Sequence, residues 1–568
     1  MQAKFVEGPI LRHILVMSST AAVGISALFV VDLLDIFFLS LLGDHELTAA
    51  IGYAGTISFF TTSIGIGLSI ALGAQVSRAI GSGDSERARR LLMSALMLTL
   101  GVSVLVAVIV TLNISTLLAL VGASGRTAEL AADYLNILVP SLPFICLAMA
   151  LGAALRAVGD AKLSMVSTLV GGGVNLVLDP VFIFLFAMGI EGAAIASVLA
   201  RLAVMVVAGR GVFGKHGLWH QPQLGEFRAD LKPIFAIAGP AMLTNIATPI
   251  GNGFMTRAIA EFGDGYVAGW AVVGRLTPVA FGMIFALSGA IGPIVGQNFG
   301  AGRYDRLKDC LTQSLLFCTA YVVAVSLLLA LVKEPVVHLF DLKGDAADFV
   351  RFFLTYIAVF FVFSGALFVA NASFNNLGKA KYSTLFNVGK ATLGTLPFIW
   401  LGAQWGGIHG VLLGQVLGSI LFGVAGVFTA YRLVNGMAPK AAEATKGTEG
   451  TEATKSEHRK TEPLKTAAET EVDFAEVTPA ASSPLSSSCT QMAQLTEEQD
   501  CLGATHATEF LIQVDENQSD ENQSDENHEE EKPLDGSPVN ETRIGEKPAG
   551  AGRIPSDQRG YPAPRRTE

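Results

Sequence analysis

The sequence predicts an all-α membrane protein. Twelve transmembrane helices form two six-helix lobes, related by a pseudo-two-fold along the membrane normal, and a disordered acidic C-terminal tail follows. Three observations predict this: twelve long apolar stretches, an internal repeat, and basic residues gathered in alternate loops. Of 568 residues, 51% are hydrophobic and only 15% charged. An ordinary soluble domain carries about 25% charged residues.

A helix needs about 20 mostly apolar residues to cross a bilayer. Such stretches run over 14–41, 48–79, 90–113, 130–155, 162–188, 190–210, 233–261, 266–297, 308–332, 349–376, 382–403 and 408–434. Glycine and charge mark their ends, as at Gly81-Ser82-Gly83 and Gly406-Gly407. One set of alternate loops carries Arg78, Arg87, Arg89, Arg90, Arg156, Lys162, Arg303, Arg306 and Lys379; the other set carries mainly Arg126, Lys333 and Lys343. Basic loops stay in the cytoplasm, so both termini are expected there.

Residues 67–91 align with 286–310 at an offset of 219, with eight of 25 positions identical. Gly159–Lys162 aligns with Gly378–Lys381 at the same offset, and Gly189–Gly192 with Gly407–Gly410 at 218. The unit is six helices, an even number, so both copies face the same way, a known transporter layout. The expected divisions are a first lobe 1–210, a linker 211–232, a second lobe 233–436 and the tail 437–568.

The net charge of −10 is a sum of unlike parts. Residues 437–568 hold 13 Lys/Arg and 27 Asp/Glu, a net of −14, which leaves the body at +4. The tail contains DENQS twice in tandem (Asp515–Ser524). It has too little apolar surface to offset chain entropy, so it reads as disorder; no partner for it is legible. No dense basic face exists for nucleic acid. The five cysteines are scattered without metal-ligand spacing. Phosphate-loop and HExxH motifs are absent, which argues against ATP-driven transport and against an enzyme. The start, MQAKFVEGPILRHIL, lacks the pattern of a cleaved signal peptide.

Charge in the hydrocarbon costs at least ~2.5 kcal/mol per residue, so each instance needs a reason. Asp32 and Asp35 share roughly one face of the first helix. Asn175 and Asp179 share a face of the fifth. The second copy has Pro397 where Asp179 stands in the first. A carboxylate pair withdrawn from water, with Asn175 and the Ser197 hydroxyl, suits either a proton or Na⁺, a hard ion that takes oxygen ligands. The second copy carries embedded bases instead: Arg257, Arg275 and Lys390. Arg275 and Lys390, with Asn245, Thr248, Asn252, Asn371 and Asn375, are candidates for a substrate cavity; polar glue between helices is the competing reading.

Several segments resemble the multidrug and toxic compound extrusion family. They are Asp35-IFFLSLLG, NLVLDP (Asn175–Pro180), GIEGAAIAS (Gly189–Ser197), Gly239-Pro240, GRL at Gly274–Leu276 and VGQNFGAGR (Val295–Arg303). The likeness covers about 10–434. It implies two lobes in a V around a central cavity, and export of lipophilic, often cationic compounds driven by H⁺ or Na⁺ entry, with no other cofactor. The acids look like those of the DinF-like branch, which matches the coupling roles to Asp35, Asn175, Asp179 and Ser197. The NorM-like branch has second-lobe acids that are lacking here. Relatives carry a proline about fifteen residues before the first-helix aspartate; here that stretch reads Ser18-Ser19-Thr20. Asp32 stands where relatives commonly have asparagine. A flippase for lipid-linked oligosaccharide, from the same superfamily, is the alternative, and the embedded bases leave room for it. The expected setting is a monomer in a lipid bilayer, the bacterial inner membrane, acting on small organic substrates.

Overall fold

The computed structural model describes residues 2–42 and 45–458. The side chain of Asp32, side chains from 438 on, and the tail from 459, including the DENQS repeat, lie outside the described residues. All regular structure among the described residues is helical.

The first copy comprises α1 (Ile10–Ser40), α2 (His45–Gly81), α3 (Ser85–Leu112), α4 (Ile114–Leu120), α5 (Gly125–Leu138), α6 (Leu142–Ala157), α7 (Ala161–Pro180) and α8 (Gly189–Gly209). The second comprises α9 (Leu224–Ala260), α10 (Asp264–Ala280), α11 (Gly282–Gly300), α12 (Tyr304–Leu331), α13 (Lys333–Leu339), α14 (Gly344–Phe352), α15 (Phe361–Asn376), α16 (Ala380–Ala391) and α17 (Leu396–His458). Among the described residues, eleven stretches are long and apolar enough to cross a membrane. One of them, Ala380–Met437, has 58 residues. At ~1.5 Å per residue that is more than twice a bilayer. It doubles back at Gly407 (φ 57°, ψ −141°) and crosses twice. The total is the expected twelve crossings.

The repeat is legible in the helix ends. α2 and α11 end at Gly81 and Gly300; α3 and α12 start at Ser85 and Tyr304; α6 and α15 end at Ala157 and Asn376; all are 219 apart. The short helices α4 and α13 obey the same offset. Burial repeats too. Val104, Val108 and Leu112 point outward on α3, as do Val323, Leu327 and Leu331 on α12. These rows suit hydrocarbon, where exposed apolar side chains carry no penalty.

Three local differences separate structure from expectation. The eighth crossing, expected unbroken over 266–297, breaks at Phe281 between α10 and α11. Pro278 sits just before the break, and its ring nitrogen cannot donate to the preceding turn. The linker is shorter than 211–232, because α9 begins at Leu224. Asp230, inside that expected linker, is buried against α3, where Ser94 Oγ donates to it at 2.9 Å and Arg90 pairs with it at 3.2 Å. The tail is predicted to be disordered from 437, yet the α17 backbone continues as helix to His458.

Breaking the Asp230 cluster should be costly. Removing one partner of a largely buried pair strands the other charge. Asp230→Ala is expected to cost about 2 kcal/mol, reduced from the fully buried figure because Arg90 is one-third exposed. A fall of several degrees in the thermal midpoint of the detergent-solubilised protein checks this.

A second polar tie holds the ends of the fifth and sixth crossings. Asp160 caps α7 by accepting from the Leu163 amide at 3.2 Å, and Lys215 and His216 reach its other oxygen at 2.8 and 2.9 Å. Burial pushes the Asp160 carboxyl up, but hydrogen bonds from Lys215, His216 and the Leu163 amide outweigh it and hold the carboxyl below its ordinary value. A depressed folded value gives stability that is present above the unfolded value, near ~3.9, and lost as pH falls through the folded one. Asp160→Asn is therefore expected to destabilise at pH 7 and 5 alike. The difference from wild type should vanish in the acid range, as read from melting curves across pH.

The two copies meet at the end carrying the basic loops. Gly81 and Gly300 are the contact points, and a Cβ on either would run into the backbone carbonyl of Gln297 or Arg78 respectively. Arg78 and Gln297 are themselves 219 apart. Arg78 Nε donates to the Asn376 carbonyl at 2.6 Å, and Gln297 Nε2 donates to the Ala157 carbonyl at 2.8 Å. Each bond is the symmetry mate of the other, which is the signature of a two-fold contact. The N-terminal segment straps this end: Phe5 N donates to Gln297 Oε1 at 2.9 Å, and Asn298 and Arg306 both donate to the Phe5 carbonyl.

Candidate functional site

Two places in the body carry chemistry, one per lobe. The first is built by α1 and α7. The run Gly171-Gly172-Gly173 lets neighbouring helices close on α7: a Cβ at Gly171 would collide with Val204 of α8, and one at Gly172 would lie 3.2 Å from Val31 of α1. That approach brings Asp35 to the α7 pair. Asn175 Nδ2 donates to Asp35 Oδ1 at 2.8 Å and to Asp179 Oδ2 at 2.7 Å. An ionised carboxylate only accepts, so a single amide nitrogen facing both satisfies two charges at once. Asp179 is fully buried and Asn175 nearly so. The second Asp179 oxygen, Oδ1, is buried without a hydrogen-bond partner. An unpaired buried carboxylate oxygen is costly, and a proton or a cation would relieve it.

Pro180 ends α7 one residue past Asp179, and a π-helical turn, Val181–Leu185, follows. Wide turns of this kind recur beside functional groups. Ser197 is half-buried on α8 and makes no hydrogen bond to the cluster among the described residues. Asp32 falls on α1, with its side chain outside the described residues.

The second place is a cavity of about 290 Å³ in the second lobe. Three of the residues expected to line a cavity do so: Thr248, Asn252 and Lys390. Lys390 Nζ donates to Ser364 Oγ at 2.8 Å. Four others lie outside its wall. Asn245 bonds the Ala241 carbonyl of its own helix at 2.8 Å. Asn371 and Asn375 meet Ser383 of α16, whose hydroxyl donates to the Asn371 carbonyl and to Asn375 Oδ1. Those two tie helices together. Arg275 and Arg257 are exposed.

Sequence reasoning passed over several residues. Phe285, Phe361 and Phe368 form an aromatic wall of the cavity, but with 34 phenylalanines in the chain nothing singled them out. Arg201 is an embedded base of the first copy. It donates to Ser141 Oγ at 2.8 Å and to the Leu138 carbonyl at 3.2 Å, binding α8 to the α5–α6 bend. Its position inside an apolar stretch was the available signal.

Comparison with known proteins bears on the family and the fold. A family model described as MatE matches residues 21–181 and 240–401, once in each copy. An FAD transporter of Shewanella oneidensis is 28% identical over 441 residues, covering 77% of this chain and 97% of that protein. The multidrug export protein MepA of Staphylococcus aureus is 23% identical over 449 residues, with the same coverage. Among solved structures, the Vibrio cholerae MATE transporter VcmN superposes with a TM-score of 0.72 at 26% identity, over 75% of this chain and 97% of that one. A Pyrococcus furiosus transporter of the MOP superfamily gives the same TM-score at 23% identity, which speaks to the fold. With both copies matched over more than half the chain, the protein belongs to the MatE family and is a multi-pass membrane transporter of the multidrug and toxic compound extrusion type.

Proposed function

We propose that the chain is a secondary antiporter. It exports lipophilic organic compounds in exchange for H⁺ or Na⁺, and the two lobes alternate between open and closed ends. The observation that carries this reading is the Asp35–Asn175–Asp179 cluster, in which two carboxylates share one amide and Asp179 Oδ1 is left buried and unpaired. A proton would neutralise that oxygen. Na⁺ would take oxygens of the same three side chains as ligands, Asp179 Oδ1 among them, as hard cations do. Coupling then follows from linkage: the ion favours one lobe arrangement, the cargo favours the other, and each weakens the other's binding.

Relatives named for FAD and for multidrug export support an organic cargo. The resemblance also implies cationic compounds, but the described cavity wall offers no acid to hold one. The proposal includes a DinF-like coupling site with Ser197 at its edge, a bacterial inner membrane, cytoplasmic termini, monomeric action and no cofactor beyond the coupling ion. An oligosaccharide flippase is the weaker reading, because only Lys390 of the three embedded bases lines the cavity. The deciding experiment is efflux of a fluorescent organic compound from proteoliposomes under an imposed H⁺ or Na⁺ gradient. Gradient-driven efflux is expected; indifference to both gradients would overturn the antiport reading.

A further inference from the structure

We propose that the second-lobe cavity is the cargo site and that it selects aromatic organic anions, with Lys390 as the charge that holds them. This rests on the export reading above and names its substrate class. The charge of the wall is the first argument. Lys390 is the one ionisable side chain among the described lining residues. It forms no ion pair there, and its single hydrogen bond is to a neutral hydroxyl, Ser364 Oγ. An ammonium has three donors. Two are left for a ligand, and an anion entering the cavity would supply the missing counter-charge. A cation would meet an uncompensated like charge instead, which is a discriminating penalty.

The aromatic wall is the second argument, and it is independent of the first. Phe361 stacks on Phe281 with ring centres 4.4 Å apart, and Phe285 leans on both Phe361 (5.9 Å) and Phe368 (5.5 Å). Rings fixed by their neighbours make a preformed surface for a flat ligand. Thr248 and Asn252 add polar groups on the α9 side. The volume, about 290 Å³, lies at the small end for ligand sites and fits a compound of one or two rings.

The local fold explains why the lysine is there. In the first copy the fifth crossing continues as helix to Asp179. In the second, α16 stops at Ala391, and Thr395 Oγ1 caps the Lys390 carbonyl at 2.7 Å. Gly389 and Gly394 make room for Phe422 behind this bend. Lys390 therefore sits in the last turn before a break that opens the helix beside the cavity.

The test uses the purified full chain and two matched probes, naphthalene-2-sulfonate and the uncharged naphthalene-2-sulfonamide, titrated calorimetrically. The sulfonate is expected to bind at least tenfold more tightly. Lys390→Met should abolish that preference while keeping sulfonamide binding, which also reports an intact cavity; Lys390→Arg should restore it. Equal binding of the two probes by the wild type, or a preference that survives in Lys390→Met, would overturn the proposal. Transport separates this proposal from the reading it rests on. Lys390-dependent sulfonate binding without gradient-driven export sinks antiport alone. Gradient-driven export of a cationic dye at the same rate by wild type and Lys390→Met, without sulfonate binding, sinks the anion site alone.

Discussion

Asp179→Asn is expected to lower ion-driven export at least 100-fold while leaving the protein folded and able to bind cargo. The carboxylate is buried, and its Oδ1 has no partner. The amide of the variant keeps the shape and can still accept from Asn175, so little packing is lost. What disappears is the charge that a proton or Na⁺ would answer. Replacing a buried charge by a neutral group of the same size is often neutral for stability. Asp35→Asn should behave alike, because the two acids hang on the same amide nitrogen. The measurement is initial efflux from proteoliposomes under a gradient, paired with a melting curve and equilibrium binding of the dye. Wild-type rates in both variants would remove the cluster from the mechanism.

The second large effect concerns the closed end. Gly300→Ala and Gly81→Ala should each prevent closure, because the added carbon meets a main-chain carbonyl of the facing helix. Main chain in a packed helix pair cannot swing aside. Overpacking of this kind costs up to ~3 kcal/mol, which reduces the population of the closed arrangement ~100-fold. The hydrophobic cores within each lobe are untouched, so the protein should still fold. Ser77 is buried beside Gly296 at this junction. In a background without the native cysteines, a Ser77→Cys thiol should be shielded from a polar maleimide. Adding Gly300→Ala should expose it and abolish export. Continued shielding with normal export would show that the glycines only save space.

The architecture was legible because a bilayer imposes simple rules. Apolar length gave twelve crossings, and the 219-residue offset fixed the helix ends at Gly81/Gly300 and Ala157/Asn376. The Asp35–Asn175–Asp179 cluster was legible for the same reason, since acids inside hydrocarbon stand out. The cavity was not. Lipid is as apolar as a lobe interior, so hydrophobic periodicity does not reveal which helix face looks inward. Asn371 and Asn375 look like Thr248 and Asn252 in the sequence, yet the first pair ties α15 to α16 and the second lines the cavity. The break at Phe281 was hidden as well, because Pro278 within a membrane helix is often tolerated. The early start of α9 was masked by its charged residues, of which Asp230 alone is buried, against Ser94 and Arg90 of α3.

The paired bonds Arg78–Asn376 and Gln297–Ala157 have a historical reading. Each is what one six-helix chain would offer an identical partner. A self-associating half-length ancestor would have possessed this junction before the two halves were fused. Fusion then freed each half to specialise. The first half now holds the acids and the second the chamber with Lys390, while their shared seam keeps a common geometry. Division of labour lies in the interiors, and the seam between the halves remains symmetric.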